Sequence, residues 1–281
     1  MELGITMFAT DRAMDPVALA RAAEERGLAS LYVPEHTHIP VSRRTVPPTG
    51  EAELPEHYAR TLDPFVALAA AAAATERIRV GTGICLVAQH DPIVTAKAVA
   101  TLDLLSGGRF VFGIGFGWNR EEMESHGVDP DRRRERVREH VLTMQRLWSD
   151  EVAHFHGDHV HLEPSWAWPK PRQRPWPPVL IGGGPGPTLF RHVAGYADGW
   201  MPVGGAGVAA ALPALRGAWE EAGRDPAALR IVPFGTLPDP GKLDHYASLG
   251  ATEVVLRVPS APADEVLPVL DRHARLAESY G

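Results

Sequence analysis

The sequence predicts an α/β protein built as a (β/α)8 barrel, the TIM-barrel architecture. Short runs rich in β-branched residues alternate along nearly the whole chain with longer stretches whose apolar residues fall three or four apart, the pattern of successive βα units. One helix-opening device recurs, at Asp15-Pro16, Asp63-Pro64 and Asp91-Pro92. The Asp accepts from the free N–H groups of a first turn and the Pro suits the first helical position. The length of 281 residues leaves room for eight such units in a single domain, 1–281, with insertions after strands two and four.

The elements follow in order. Leu3 to Phe8 forms the first strand, and the helix opened by Asp15-Pro16 ends at Gly27. Ser30 to Pro34 is strand two, Ile78 to Leu86 strand three, and between them the Ala-rich helix runs from Asp63-Pro64 to Thr75. The next helix carries Val94, Ala98, Leu102 and Leu105 on one face; Ser106-Gly107-Gly108 stops it before strand four, Arg109 to Ile114. A loop then leads to a helix from about Asp131 to Trp148, with Val137, Val141, Met144 and Trp148 on one side. Residues 151–176, rich in His, Trp and Pro, interrupt the alternation. Pro178 to Ile181 and Gly199 to Pro202 are strands five and six, with a helix near 188–196 between them. Leu212, Leu215 and Trp219 mark helix six, Ile231 to Gly235 strand seven, and Leu243, Tyr246 and Leu249 helix seven. Glu253 to Val258 is strand eight, and Leu267, Leu270, Ala274 and Ala277 mark the last helix. The competing fold, a doubly wound dinucleotide-binding sheet, needs G-x-G-x-x-G after the first strand, where this chain reads Met7-Phe8-Ala9-Thr10.

Composition narrows the function classes. With 44% hydrophobic and 22% charged residues, the chain has the make-up of a folded globular protein. Its longest unbroken apolar run, Phe65 to Ala74, falls short of the roughly 18 residues that span a bilayer, so no membrane partner is expected. The N-terminus reads as a strand rather than a signal peptide, which points to the cytoplasm. A net charge of −7, with no basic run longer than Arg132-Arg133-Arg134, lacks the basic face of a nucleic-acid binder. Cys85, the one cysteine, excludes an intramolecular disulfide and any multi-cysteine zinc site; its apolar neighbours mark it as buried packing.

In a barrel the acting residues lie just past each strand. Glu35, His36, Thr37 and His38 follow strand two, and Thr82, Gly83 and Ile84 follow strand three. Gly115, Phe116, Gly117, Trp118 and Asn119 follow strand four, and Gly182, Gly183, Gly184, Pro185 and Gly186 follow strand five. The last group, opening a helix, offers bare N–H groups to an anion such as a phosphate; a flexible turn is the plain alternative. Gly113 to Gly117 adds a second close-approach surface, and two such loops suit a large phosphate-bearing cofactor better than a lone phosphate. His36 and His38 spell H-x-H, a metal-ligating pair in barrel hydrolases, yet strands five to eight end in glycines, Met201-Pro202, Thr236 and Arg257. No metal is expected; His36 reads as a hydrogen-bonding or acid–base group and His38 as a loop residue. The tract His154, His156, His159, His161 alternates with Phe155, Val160 and Leu162 as a hairpin outside the barrel would. Arg43-Arg44 is a solvated surface pair or a contact for the acidic tail of a cofactor. Trp166, Trp168 and Trp176 line a substrate or subunit surface, or cover the barrel mouth.

Four segments, Val33-Pro34-Glu35-His36-Thr37-His38, Gly81-Thr82-Gly83-Ile84, Leu104-Leu105-Ser106-Gly107-Gly108-Arg109 and Gly113-Ile114-Gly115-Phe116-Gly117-Trp118-Asn119-x-x-Glu122, occur in an order that resembles the luciferase-like monooxygenase family. They are similar in particular to its branch that uses the deazaflavin coenzyme F-420, from strand one to Ala197-Asp198-Gly199-Trp200. The resemblance implies a deazaflavin lying across the strand C-termini, with a non-prolyl cis peptide behind its ring at Gly83-Ile84. Its phosphate would meet Gly115, Phe116 and Gly117 and the loop from Gly182 to Gly186, with Trp118 and Asn119 in the same cofactor site. His36, beside Glu35, would give or take the substrate proton near the ring. Sugar-phosphate dehydrogenases of the branch carry an acidic residue where this chain has Trp118, a departure that speaks against a sugar phosphate. The implied function is hydride transfer between coenzyme F-420 and a small organic substrate; sister enzymes use flavin mononucleotide (FMN) as monooxygenases. A homodimer is expected, with the substrate pocket built from the loop 37–61 and the Trp-rich segment 163–176.

Overall fold

The structure is a computed structural model that describes residues 1–42, 44–47 and 53–280. Nine parallel strands form one sheet: β1 (Glu2–Thr6), β2 (Ser30–Val33), β3 (Arg79–Cys85), β4 (Phe110–Ile114), β7 (Val179–Gly182), β8 (Gly199–Met201), β9 (Arg230–Ile231), β10 (Phe234–Thr236) and β11 (Glu253–Arg257). Their spatial order is β10-β11-β1-β2-β3-β4-β7-β8-β9. The predicted seventh strand is thus split. β9 pairs with β8 and β10 with β11, and the Val232-Pro233 step between them joins the sheet ends: Phe234 N–H donates to the Pro202 carbonyl (2.9 Å) and Gly204 N–H to the Phe234 carbonyl (2.7 Å). Counting β9 and β10 as one strand gives the closed eight-stranded barrel that the alternation predicts. Helices α1 (Pro16–Glu25), α2 (Pro64–Ala73), α3 (Pro92–Leu105), α5 (Arg133–Ser149), α6 (Pro187–Tyr196), α7 (Val208–Glu221), α8 (Pro240–Ser248) and α9 (Ala263–Ala277) surround it.

The Asp-Pro openings behave as their chemistry dictates. Asp15 accepts from the N–H groups of Val17 and Ala18, Asp63 from Val66, and Asp91 from Ile93 and Val94. A fourth, Asp239-Pro240, opens α8. One short helix escapes the sequence reading: α4 (Arg120–Ser125), six residues too brief for an apolar period to register. The histidine tract does form an antiparallel hairpin, β5 (Ala153–His156) with β6 (His161–Ser165), outside the barrel. Glu139 of α5 holds its turn by accepting from the N–H groups of Asp158, His159 and Val160.

Inside the barrel, Tyr32, Val111, Leu180, Met201, Val232, Phe234 and Val255 form one buried layer, with Ile84 packed against it. Glycines on the neighbouring strands make the space: a Cβ at Gly81 would overlap the Tyr32 ring, and one at Gly83 the Phe234 ring. The larger apolar core lies between the sheet and the helices, where Trp148 and Trp219 are fully buried. Among the described residues no helix is long and apolar enough to cross a membrane.

At the strand N-terminal end, Ser106-Gly107-Gly108-Arg109 acts as a structural clamp. Gly107 and Gly108 take positive φ, and the Arg109 guanidinium donates to the carbonyls of Ile78 (2.6 Å), Ala72 (2.8 Å), Thr75 (2.9 Å) and Ser106 (2.7 Å). These carbonyls lie at the end of α2, at the entry to β3 and, for Ser106, at the end of α3. Arg109→Met should therefore lower stability by about 2 kcal/mol in urea unfolding, while leaving ligand affinity at the opposite end of the barrel unchanged.

Candidate active site

The loops after β2, β3, β4 and β7 all leave the barrel at one end, and the structure brings most of the predicted residues together there. His36 is the centre of the group. Its ring is 5.4 Å from that of Tyr58 and 5.8 Å from that of Trp118, and Tyr58 is 4.7 Å from Phe8, so one aromatic wall runs beside the imidazole. The backbone is pinned by Thr61, whose hydroxyl donates to the His36 carbonyl (2.7 Å).

The partner of His36 is Glu122 rather than Glu35. Nδ1 lies 2.8 Å from Glu122 Oε2, and Glu122 is fully buried. An ionised carboxylate only accepts, which assigns the proton to Nδ1 and leaves Nε2 as the nitrogen open to exchange. Glu122 also accepts from Thr37 N–H (3.3 Å) and sits in the first turn of α4, whose N-cap is Asn119. The Asn119 side chain accepts from Glu122 N–H (3.4 Å). Asn119 therefore positions the carboxylate that positions the histidine. Glu122 was missing from the expected site, although the spacing Asn119-x-x-Glu122 is that of a helix cap with an acidic third residue, a readable signal.

Glu35 turns away from the mouth. Its carboxylate accepts from Leu86 N–H (2.7 Å) and meets His90 Nε2 at 2.6 Å, which ties the end of β2 to the segment after β3. Glu35, expected beside His36 as a catalytic group, thus has both oxygens engaged with Leu86 and His90. Cys85 stands next to this pair, and Glu35, Cys85 and His90 bring three metal-type ligand atoms within 4.8 Å. Burial pushes the Cys85 thiol well above its usual range, in keeping with the buried packing expected of it. His36 and His38 do not converge; His38 Nδ1 meets the Thr37 hydroxyl, which in turn meets His126 Nε2 (2.7 Å).

The peptide Gly83-Ile84 is cis. The Ile84 side chain explains two of the predicted glycines by packing, since a Cβ at Gly115 or Gly182 would run into it. Gly117 takes φ of +78° and Gly183 of +145°, backbone that favours glycine. Gly184 and Gly186 face open space, and Pro185 is exposed. Trp200 Nε1 donates to the Gly183 carbonyl (3.0 Å) and fixes the loop to β8. The loop opens α6 on Gly186 without a side-chain cap, as α5, α7 and α9 also open, and no side chain takes its first N–H groups. Phe116 is packed between His192 (5.1 Å) and the Arg134 guanidinium (5.3 Å).

Two expectations fall elsewhere. The Trp-rich segment precedes β7, so it lies toward the strand N-termini and flank, not the mouth: Trp176 Nε1 donates to Asp198 (3.3 Å), and Trp166 borders a groove with Ile93, Lys97 and Leu162. Arg44 is paired with Glu124 (2.5 Å) and its N–H with Glu121 (2.6 Å), and Arg43 lies outside the described residues.

Burial opposes both charges of the Glu35–His90 pair, but their hydrogen bond and mutual attraction prevail, lowering the Glu35 pKa and raising that of His90. The raised histidine contributes stability that is complete below its ordinary 6.5 and lost as pH rises through its folded value; the lowered carboxylate contributes above its ordinary 4.5 and loses it on acidification. The stability difference between wild type and His90→Gln should peak between pH 4.5 and 6.5, at about 1 kcal/mol, and shrink on either side in pH-dependent urea melts.

Comparison with known proteins agrees with this geometry. The profile of the luciferase-like monooxygenase family matches residues 4–237. An uncharacterised protein of Mycobacterium tuberculosis is 46% identical over 277 residues, 98% of each chain. The F420-dependent glucose-6-phosphate dehydrogenase of Kineococcus radiotolerans is 32% identical over 209 residues, 72% of this chain and 57% of that one. In fold, the chain superposes over its full length, and that of the neighbour, on an F420-dependent secondary alcohol dehydrogenase solved with an F420-acetone adduct, with a TM-score of 0.76 at 21% identity. The hydrolase alternative is thereby set aside: the chain belongs to the luciferase-like monooxygenase family and is an enzyme of the oxidoreductase class.

Proposed function

We propose that this chain transfers a hydride between the deazaflavin coenzyme F-420 and a small organic alcohol or carbonyl compound, with His36 exchanging the substrate proton. The observation that carries the reading is the His36–Glu122 pair at the mouth: a buried carboxylate on Nδ1, and Nε2 left for chemistry. The residues present fit such a coenzyme. Gly184 and Gly186 present backbone to open space, the uncapped N-terminus of α6 and Gly117 would suit its phosphate, and Ile84, packed against Gly115 and Gly182, would help to hold it.

The bound coenzyme would supply the hydride acceptor or donor. His36 Nε2 would hold the proton of the substrate oxygen, taking it from an alcohol or giving it to a carbonyl. The Glu122 carboxylate would keep the ring in that tautomer and stabilise the imidazolium that forms when Nε2 takes the proton. Phe8, Tyr58 and Trp118 would enclose an apolar substrate body and exclude water, which favours such a substrate over a sugar phosphate. The second reading, an FMN-dependent monooxygenase, uses the same loops and rests on the family as a whole. We further propose that the chain acts as one barrel unit in the cytoplasm and as a homodimer; exposed Val66 on α2 with Val94 and Leu105 on α3 supports the pairing. Sedimentation should then report a particle of two chains.

Fluorescence titration with coenzyme F-420 and with FMN tests the cofactor, micromolar or tighter binding of the deazaflavin alone being expected; preference for FMN would transfer the assignment to the monooxygenase reading. Turnover can be followed by the loss of deazaflavin fluorescence on reduction, against a panel of secondary alcohols. His36→Ala should leave the coenzyme dissociation constant within about twofold and lower kcat by roughly 10²-fold or more. Glu122→Gln should lower kcat less and displace its pH profile. A kcat unchanged in His36→Ala would refute the assigned role.

A further inference from the structure

Three arginines stand without carboxylate partners where α5 and α6 pass beside the β4 loop. Arg134 and Arg138 lie one turn apart on α5, on one face, and Arg191 lies on α6. Among the described residues none of the three makes a salt bridge, unlike Arg79 with Glu2 and Glu253, Arg60 with Asp11 and Glu56, and Arg120 with Asp131. The hydrogen bond of Arg191 goes to the Thr188 hydroxyl (3.4 Å) in the first turn of α6, and the Arg134 guanidinium lies 5.3 Å over the Phe116 ring. His192 fills the space between the helices, with its ring 5.1 Å from Phe116 and its Nδ1 3.1 Å from the Tyr196 hydroxyl. Burial first, and then the charges of Arg134, Arg138 and Arg191, lower its pKa, so the positive field of all three converges on this point against the single opposing charge of Glu135.

A chain of net charge −7 has acidic groups to spare, yet gives these three cations no carboxylate partner. Such a cluster is relieved by an external polyanion. Through Phe116 and Thr188 it adjoins both glycine loops. We propose that Arg134, Arg138 and Arg191 form a subsite for the acidic tail that coenzyme F-420 carries beyond its phosphate, and that this subsite separates that coenzyme from FMN, which ends at its phosphate. The inference rests on the cofactor reading given above and deepens it.

The test compares F-420 bearing its oligoglutamate tail with the same deazaflavin truncated at the phosphate, by fluorescence titration of the full chain at low salt and at physiological ionic strength. Wild type should bind the tailed form about tenfold more tightly at low salt, with the preference shrinking as salt rises. The double variant Arg138→Gln/Arg191→Gln should lose most of that preference through weaker binding of the tailed form alone, and Arg138→Lys/Arg191→Lys should retain most of it. Equal affinity of wild type for the two forms, or a preference undiminished in the Gln variant, would overturn the subsite while leaving the cofactor reading intact. Binding of neither form would overturn both.

Discussion

A buried carboxylate must find donors or carry a heavy desolvation cost, and Glu35, 3% exposed, organises this end of the barrel around that requirement. One oxygen takes Leu86 N–H, at the point where β3 has ended, and the other takes His90, just ahead of α3. The end of β2 is thereby fastened to the exit of β3 on the outer side of the sheet. His36, the next residue, reaches the mouth from that anchored backbone and meets its own carboxylate, Glu122, from the β4 side. Two buried acids thus divide the work, one fixing the backbone and the other fixing the ring that the backbone presents.

The second constraint is steric. Ile84 occupies the space that a side chain at Gly115 or Gly182 would need, so three successive strands, β3, β4 and β7, have their exits set by one side chain. The glycine-rich appearance of the loops after β4 and β7 therefore has a mixed origin. Gly115 and Gly182 make room for a neighbour, Gly117 and Gly183 satisfy backbone conformation, and Gly184 and Gly186 leave an open face. Only the last pair argues directly for a ligand, and it does so beside a helix end that no side chain caps.

The architecture was legible because it is written in repeating local chemistry. Asp-Pro helix openings and alternating periods of two and 3.6 survive without tertiary information, and each corresponds to an element in the barrel. What escaped were features decided by direction rather than by composition. Glu35 and His36 are adjacent in sequence, but their side chains serve different neighbours, and no spacing rule states which one faces the mouth. The split of strand seven at Val232-Pro233 reflects pairing with two different neighbours, and Pro233, which has no N–H, marks it only faintly. In sequence the Trp-rich segment stays open between a substrate surface, a subunit surface and a cover for the mouth; in the fold Trp166 borders α3 on the flank of the barrel and Trp176 donates to Asp198.

The same directional logic explains why the aromatic wall and the arginine cluster lie on different flanks of the glycine loops. Loops from β1 and β2 reach over His36 and bring Phe8 and Tyr58, whereas α5 and α6 stand on the outer side of the β4 and β7 exits and bring arginines. A ligand spanning the mouth would meet an apolar, water-poor end at the histidine and a cationic, solvated end at the helices. Charge acts over a longer range than packing, so the cationic end suits recognition of an anionic extension. At the other end, the half-buried rings of Phe8, Tyr58 and Trp118 stand beside His36, whose Nδ1 faces Glu122. The order of helices and strands thus sets an aromatic flank at His36 apart from a cationic one on α5 and α6.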